Sequence, residues 1–431
     1  MASAFRKTEQ MEGIEMKKVL ILGANPETVS LINKAKEMGC YTIVTDNNPN
    51  AYAKRFADQA ENIDAVDVDA LVDLAKREKV DGILVGVAEA LLPAYCSVCE
   101  RLQMPCYSTS DKFEIMARKD LFKEKCHEYG VPTTREYELA GKSDIKLPAI
   151  VKPVDSCSSK GIRVCHTREE LENGIDYALA FSKAGKVLVE EYMTGDEVIS
   201  YYVMQEGNPI FVGMCDRYTY KPKGNLVQLP TCYIFPSRHI DSYMANTNES
   251  VKRMIKGLGL TNGSIFFQSF VDEDGIVRVY EPGYRLNGAQ EHLVISKVSG
   301  IDAKELYINL ALTGKAADYN LEVFSNPKPQ QFCCKLSPLI RTGKIGHIGG
   351  LSEIEKLQDV VSVNPSYADG DEVTGEGTLK QIVCRFFIVS ETKERLAHII
   401  DEIQSKLTVT DEKGNSMIVG LFDTSILADR Y

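Results

Sequence analysis

Three short clusters in this 431-residue chain set charged side chains among apolar runs and glycines in ways that suit chemistry. The first is Lys152, inside Ala149-Ile-Val-Lys-Pro153, with the loop Ser156-Cys-Ser-Ser-Lys-Gly161 just downstream. A lysine within an apolar strand is costly unless its ammonium meets an anion or a carboxylate. The loop adds the hydroxyls of Ser156, Ser158 and Ser159, a second cation in Lys160, and Gly161, where backbone can approach a ligand closely. Those are the parts of a phosphate cradle. Taken alone, such a loop is more often a solvated turn; its place directly after a strand with a buried lysine favours the cradle.

The second cluster is Val187-Leu-Val-Glu-Glu-Tyr-Met193. An ordinary strand end with solvated carboxylates would look the same. So would a purine site, in which backbone groups around Glu190, Glu191, Tyr192 and Met193 pair with the base edge while apolar residues sandwich the ring. Glu197, just after Gly195, is then placed to accept hydrogen bonds from ribose hydroxyls. The third cluster is Val279-Tyr-Glu-Pro-Gly-Tyr-Arg-Leu-Asn-Gly288. Glu281 ends a strand, and Arg285 follows between Gly283 and Gly288. Mg²⁺ takes carboxylate oxygens, phosphates and water. A guanidinium beside it clamps a phosphoryl group or carboxylate through paired hydrogen bonds. Gln268, on the facing strand of a predicted hairpin, is read as pointing into the same space. A surface Glu–Arg pair would account for the charges but not for the framing glycines.

The elements that must hold these clusters follow from apolar spacing. Lys17–Gly23, Tyr41–Thr45 and Gly82–Val87 read as buried parallel strands, with Glu27–Gly39 and Leu71–Lys79 as helices between them. That alternation predicts a doubly wound sheet over about residues 16–110. The Gly23-Ala-Asn25 turn and Asp46 suggest a dinucleotide site, but the later glycines of that fingerprint are absent, so a Rossmann-like scaffold is the preferred reading. Phe113–Tyr129 is predicted to be one helix, Pro148–Pro153, Val187–Tyr192 and Val198–Gln205 strands, and Glu249–Leu258 a helix. Ser264–Asp272 and Ile276–Glu281 form the predicted hairpin. Ser325–Gln331 is a linker by composition, and Cys333–Tyr431 is strand-rich with one amphipathic helix, Lys393–Leu407. The fold class is α/β, with α+β character around the three clusters.

Composition narrows the function. Hydrophobic residues make up 44% and charged residues 26%, and the net charge is −11 with no Lys/Arg cluster. That disfavours nucleic acid as a partner. No apolar run reaches the length of a membrane span, and residues 1–16 lack an export signal's apolar core. A cytoplasmic location with reduced thiols is expected for the twelve cysteines. Cys96, Cys99 and Cys106 lack a partner motif for zinc and are read as packed thiols.

Taken in order, the three clusters resemble the ATP-grasp superfamily, from about residue 17 to the end of the chain. The resemblance implies a Rossmann-like pre-ATP-grasp domain (17–110), a small ATP-grasp lobe (111–198), a large lobe (199–330) and a strand-rich C-terminal domain (331–431), after a disordered extension (1–16). It implies ATP with Mg²⁺, or Mn²⁺, as cofactors. Lys119 and Lys152 become nucleotide-binding cations, residues 156–161 the loop over the phosphates, residues 190–193 the adenine hinge and Glu197 the ribose acid. Glu281 and Gln268 become metal positions, and Arg285 with Lys160 the catalytic cations.

The chain departs from the family at Gly283, where many members carry an asparagine metal ligand, and at Gln268, commonly a glutamate. The form Glu-x-x-x-Arg-x-x-Gly is similar to the carboxylate–amine ligase branch, including L-amino-acid ligases, and Gln268 has a parallel in carbamoyl-phosphate synthases. The implied activity is ATP-dependent activation of a small carboxylate as an acyl phosphate, followed by attack of an amine. Arg217, Lys221 and His239 fall where family members bind the carboxylate. The rivals are other ATP-grasp chemistry (a carboxylase, a formate-using step, a carbamoyl-phosphate-synthase-like reaction) and a non-catalytic nucleotide-binding regulator. A homodimer is the default assembly.

Overall fold

The structure is a computed structural model that describes residues 16–139, 144–156, 160–220, 228–316, 319 and 331–431. Among the expected site residues, Ser158, Ser159 and Lys221 lie outside the described residues, as do residues 1–15 of the expected extension and residues 325–330 of the expected linker. The chain divides into two compact units, Met1–Ser110 with Lys304–Ala317, and Asp111–Ala303 with Asp318–Tyr431.

In the first unit, strands β1 (Lys18–Leu22), β2 (Tyr41–Thr45), β3 (Gln59–Glu61) and β4 (Gly82–Val85) form a parallel sheet in the order β3-β2-β1-β4. Their apolar runs are buried because helices cover the sheet, as continuous apolar strands require. Asp46 is not open to a ribose: its carboxylate accepts from the Ala24 N–H at 3.1 Å and the Asn48 N–H at 2.9 Å, fastening the turn after β1. Cys96 and Cys99 are buried in the helix Leu92–Leu102. Part of the helix Ala303–Thr313 also belongs to this unit, and there Gly82 lies so close to it that a Cβ would stand 2.8 Å from the Ala311 carbonyl oxygen.

The second unit is built on two sheets that matter for the site. The smaller has the order β5-β8-β6-β7, from β5 (Glu136–Tyr137), β6 (Ala149–Pro153), β7 (Arg163–Cys165) and β8 (Val187–Glu191). The larger runs β13-β12-β9-β10-β11-β14 and then through strands Cys384–Ser390 and Val360–Pro365. Here β9 is Glu197–Gln205, β10 Asn208–Tyr220, β11 Leu229–Phe235, β12 Gly263–Val271, β13 Val277–Gly283 and β14 Phe332–Leu336. Every neighbouring pair in it is antiparallel. Strands beyond residue 331 therefore continue this sheet, so the boundary expected at 330/331 does not separate one sheet from another. The apolar edge of β11 is the reason: Cys232–Phe235 pair with Cys333–Leu336 in register.

Strand alternation gives the large sheet two faces. Cys232, Ile234, Cys334, Leu336, Phe386 and Ile388 pack with Leu396, Ile399, Ile400 and Ile403 of the helix Lys393–Lys406. Full burial of each such aliphatic side chain stabilises the fold by about 1.5–3 kcal/mol. The intervening residues, among them Tyr233 and Lys335, are left for the opposite face.

One predicted helix is in fact two. Ser110–Ala117 and Lys119–Tyr129 are separated by Arg118, whose backbone is extended (φ −96°, ψ 116°). The Lys119 N–H donates to the Val154 carbonyl at 2.9 Å, and the Arg118 guanidinium grips Asp120 at 2.6 Å. The apolar spacing runs through the break, so the periodicity hides it.

Candidate functional site

That break puts Lys119 at the start of a helix and turns it towards β6. Its Nζ donates to the Ser156 carbonyl at 2.5 Å and lies 3.7 Å from Glu281 Oε1. Lys152, buried in β6, places its Nζ 2.6 Å from Glu190 Oε2 and 5.3 Å from the Tyr280 ring centroid. Both lysines line a cleft of about 680 Å³ with Ile150, Ile162, Val164, Tyr192, Met193, Glu197, Arg217, Gln268, Phe270 and Glu281. Apolar side chains with a few convergent charges, in a cavity of this size, suit a nucleotide-sized ligand.

The Glu190 side chain is committed to two lysines. Its carboxylate is 1% exposed and sits between two cations, with Lys123 Nζ 2.8 Å from Oε1 and Lys152 on Oε2. Burial raises the pKa of a carboxyl, but the Coulomb pull of Lys152 and Lys123 outweighs it and holds Glu190 down to about 2. Lys123 is itself 1% exposed and donates to Thr134 Oγ1 at 2.7 Å. The adjoining Glu191 is exposed, and its N–H is taken by the Arg135 carbonyl at 2.9 Å, while the Tyr192 N–H meets Pro148 at 3.3 Å. The side chain of Glu190 is thus the floor under Lys152.

A second network holds Glu197. Its Oε1 accepts from the Arg217 guanidinium and from the Tyr280 hydroxyl at 2.6 Å. Burial and the neighbouring Glu197 charge push the Tyr280 phenol well above its ordinary pKa, so it stays protonated as a donor. Gln268 Oε1 stands 3.0 Å from the same hydroxyl. A phenol has one proton, and here the carboxylate takes it; the Gln268 amide then serves the phenol oxygen best through its NH₂, which turns its carbonyl elsewhere. Gln268 and Glu281 are cross-strand partners. The residue types fit one hard cation: the Glu281 carboxylate is 37% exposed at the cleft, which Gln268 also lines.

Gly283 cannot supply a third donor, and the reason is steric. A Cβ there would stand 2.1 Å from Phe266 Cζ, its cross-strand neighbour. Arg285 lies past that ring, its guanidinium 5.4 Å from the Phe266 centroid and Nη1 donating to the Leu286 carbonyl at 3.1 Å. It lines a separate small cavity with Tyr201, Phe266 and His292, and does not border the cleft that Lys119 and Lys152 share.

The remaining candidates divide in the same way. Ser156 closes its own loop, its Oγ donating to the Lys160 carbonyl at 2.9 Å, and Lys160 is exposed. Gly161 has φ +78°, and a Cβ there would meet Pro153 at 2.6 Å, so the loop needs glycine. His239 faces Asp196 at 3.1 Å and lines a second cleft of about 980 Å³, which shares residues 192–196 with the first. Sequence reasoning missed Lys123, Tyr280 and Asp216, whose oxygens take the Ser237 hydroxyl and the Tyr431 hydroxyl, the latter at 2.6 Å. A signal existed for Lys123: Lys119, Phe122, Lys123 and Cys126 form the buried stripe of their helix, and a lysine on such a stripe needs a partner.

Comparison with known proteins adds to this geometry. Residues 145–290 match the model of the ATP-grasp domain. The carbamoyl phosphate synthase large chain of Clostridium beijerinckii is 21% identical over 411 residues, covering 90% of this chain and 36% of that one. Formate-dependent phosphoribosylglycinamide formyltransferase of Nostoc is 29% identical over 201 residues, 44% of this chain and 51% of the relative. The chain thus spans about a third to a half of the length of these curated relatives, at 36% and 51%. The crystal structure of L-amino acid ligase from Bacillus licheniformis superposes with a TM-score of 0.73 at 19% identity, covering 92% of this chain and 98% of that one. At that identity the likeness is one of fold. Among the described residues no helix is long and apolar enough to cross a membrane.

Proposed function

Because residues 145–290 of this chain form an ATP-grasp domain, we propose that it is an ATP- and Mg²⁺-dependent ligase that activates a small carboxylate as an acyl phosphate and joins it to an amine. One observation carries the reading: Lys119 and Lys152 share a cleft with Glu281, and the Lys119 ammonium is 3.7 Å from the Glu281 carboxylate. Cations for phosphate oxygens and a carboxylate for a metal are what phosphoryl transfer from ATP requires at one place.

In this reading Lys119 and Lys152 hold the phosphates of the nucleotide, and Glu190 keeps Lys152 aimed at them. Tyr192 and Met193 flank the base on one side and Phe270 on the other. Glu197, fixed by Arg217 and Tyr280, receives the ribose hydroxyls. Mg²⁺ would be held by Glu281 and the Gln268 carbonyl, and would supply neutralisation of charge on the transferring phosphoryl group. Lys160 and the 156–161 loop exclude water, which otherwise hydrolyses an acyl phosphate. Arg285 reaches the substrate carboxylate only if its guanidinium leaves the Phe266 face. No side-chain nucleophile is needed.

A second reading, a carbamoyl-phosphate-synthase-like or formate-using step, is favoured by Gln268 and by the names of the curated relatives. Phosphate release from ATP and Mg²⁺ tests both. Release that depends on a pool of carboxylic acids with amines supports the ligase; release that needs bicarbonate or formate supports the second reading. ATP binding with no release under any of these conditions supports a non-catalytic regulator, for which the missing donor at Gly283 is the argument.

A further inference from the structure

Tyr280 and Glu281 are neighbours in β13, and on a regular strand their side chains would point to opposite faces. Both nevertheless line the cleft that holds Lys119 and Lys152. The cause is a β-bulge. Gln268 pairs with Glu281 and Ser269 with Val279, so Tyr280 is an extra residue with no partner of its own in β12. Such a residue re-aims a side chain of its strand. Here it brings Tyr280 to the face that Glu281 occupies, while Val279 before it stays fully buried.

The Tyr280 ring is held by two contacts: it stacks on Phe270 at 5.0 Å, and Lys152 Nζ lies 5.3 Å from its centroid. Its hydroxyl stands 2.6 Å from Glu197 Oε1 and 3.0 Å from the Gln268 amide. Arg217 is also on Oε1. Among the described residues no hydrogen bond or ion pair falls on Glu197 Oε2, which leaves that oxygen for a ligand. Burial keeps the phenol protonated, so it has one proton to give.

That proton links the two flanking groups. With the Gln268 carbonyl facing the phenol, amide and carboxylate compete for it. With the Gln268 NH₂ facing the phenol, the amide donates, the proton belongs to Glu197 alone, and the carbonyl is turned away. A cation that draws the Gln268 carbonyl therefore selects the arrangement that fixes Glu197. We propose that Tyr280 is a positioning residue that couples Mg²⁺ on the Gln268 side to recognition of the ribose hydroxyls by Glu197, each strengthening the other. Coupling between two ligands is reciprocal. This rests on the ligase reading in one respect, that the nucleotide and Mg²⁺ share this cleft.

Direct titration of the full chain with ATP and with 2′,3′-dideoxy-ATP, each with and without Mg²⁺ and in the absence of carboxylate and amine, measures the coupling. Mg²⁺ is expected to tighten ATP at least about threefold more than it tightens the dideoxy nucleotide. The charge that Mg²⁺ neutralises on the phosphates is the same for both and cancels in the comparison. In Tyr280→Phe, which keeps the ring and loses the hydroxyl, the two nucleotides should gain equally from Mg²⁺. A tyrosine that only packs would leave the difference unchanged in that variant, and this result overturns the inference. Equal gains in the unaltered chain overturn it without any variant. A Mg²⁺-dependent preference for the ribose hydroxyls, with no phosphate release under any condition, would sink the ligase reading and leave the coupling standing. Phosphate release that depends on carboxylate and amine, with equal gains for the two nucleotides, would do the opposite.

Discussion

Lys152 Nζ stands 2.6 Å from Glu190 Oε2, and the other oxygen of that carboxylate is held by Lys123 at 2.8 Å. With a cation on each side, Glu190 is neutralised twice while only Lys152 borders the cleft. Lys123 is then the structural half of the triad and Lys152 the working half.

Substitutions should separate the two. Lys123→Met leaves a buried carboxylate with one partner, and removing one member of a buried pair costs up to about 3–5 kcal/mol. Urea denaturation should show that loss, with the nucleotide affinity of the remaining folded protein little changed. Lys152→Ala should instead weaken nucleotide binding in a direct titration. An equal loss of affinity in both variants would mean that Lys123 also faces the ligand.

The triad also sets a pH dependence. Glu190 titrates near 2 in the fold instead of the ordinary 4.5, because the two lysines outweigh its burial. A depressed carboxyl contributes stability that is fully present above the unfolded-state pKa and is lost as pH falls through the folded one. The stability gap between the unaltered chain and Glu190→Gln should therefore hold steady from pH 7 to about 5 and narrow as pH falls below about 4.5. A gap that stays constant down to pH 3 would place the stabilisation somewhere other than ionised Glu190.

The sequence made Lys152 legible because a lysine in Ala149–Pro153 interrupts an apolar strand. The same signal stands in Phe332-Cys-Cys-Lys-Leu336, where Lys335 went unread because its strand was assigned to a domain of its own. Which strands join one sheet is a matter of long-range pairing, and β11 with β14 brings together residues about a hundred positions apart, Cys232 and Leu336 among them. Glu190 was legible as an acid at a strand end but not as an inward-facing one, since its partner Lys123 comes from a helix whose periodicity concealed the break at Arg118. The alternation of β1, β2 and β4 with helices was readable because it is local.

Gly283 presents the next test. The Phe266 ring fills the space where a side chain at position 283 would begin, 2.1 Å from an added Cβ. Gly283→Asn alone should be destabilising through overpacking, by about 1–3 kcal/mol or more. Combined with Phe266→Ala the asparagine has room, and the pair should be less unstable than the sum of the single changes. If the double variant also lowers the Mg²⁺ concentration needed for half-maximal nucleotide binding, position 283 borders the metal. Additive losses would show that Phe266 is not what keeps an asparagine out.

Glu281 is expected to carry the metal almost alone. Glu281→Ala should abolish the Mg²⁺ dependence of nucleotide binding, because the remaining oxygen donor beside it, the Gln268 amide, is uncharged and shared with Tyr280. Titrating nucleotide with and without Mg²⁺ gives the answer. An undiminished Mg²⁺ effect in the variant would assign the cation to the phosphates and water alone.

Arg285 is the residue where the expectation from sequence and the geometry pull apart. As a clamp on the transferring group it belongs in the cleft, yet its guanidinium rests over the Phe266 ring, 5.4 Å from the centroid, and lines the adjoining small cavity. Phe266 and Gln268 lie on the same face of β12, two residues apart, so the cleft is one step of about 6–7 Å along the strand. A guanidinium can cover that distance by a change of rotamer. If it does so when the carboxylate binds, Arg285→Ala should leave ATP affinity nearly unchanged and lower kcat by about 10²–10³, the effect of losing one donor to developing charge. Arg285→Lys should recover little, because the paired geometry is lost. Turnover unaffected by Arg285→Ala would confine this side chain to packing against Phe266, and loss of ATP affinity in parallel with kcat would show it bound to the nucleotide from the start.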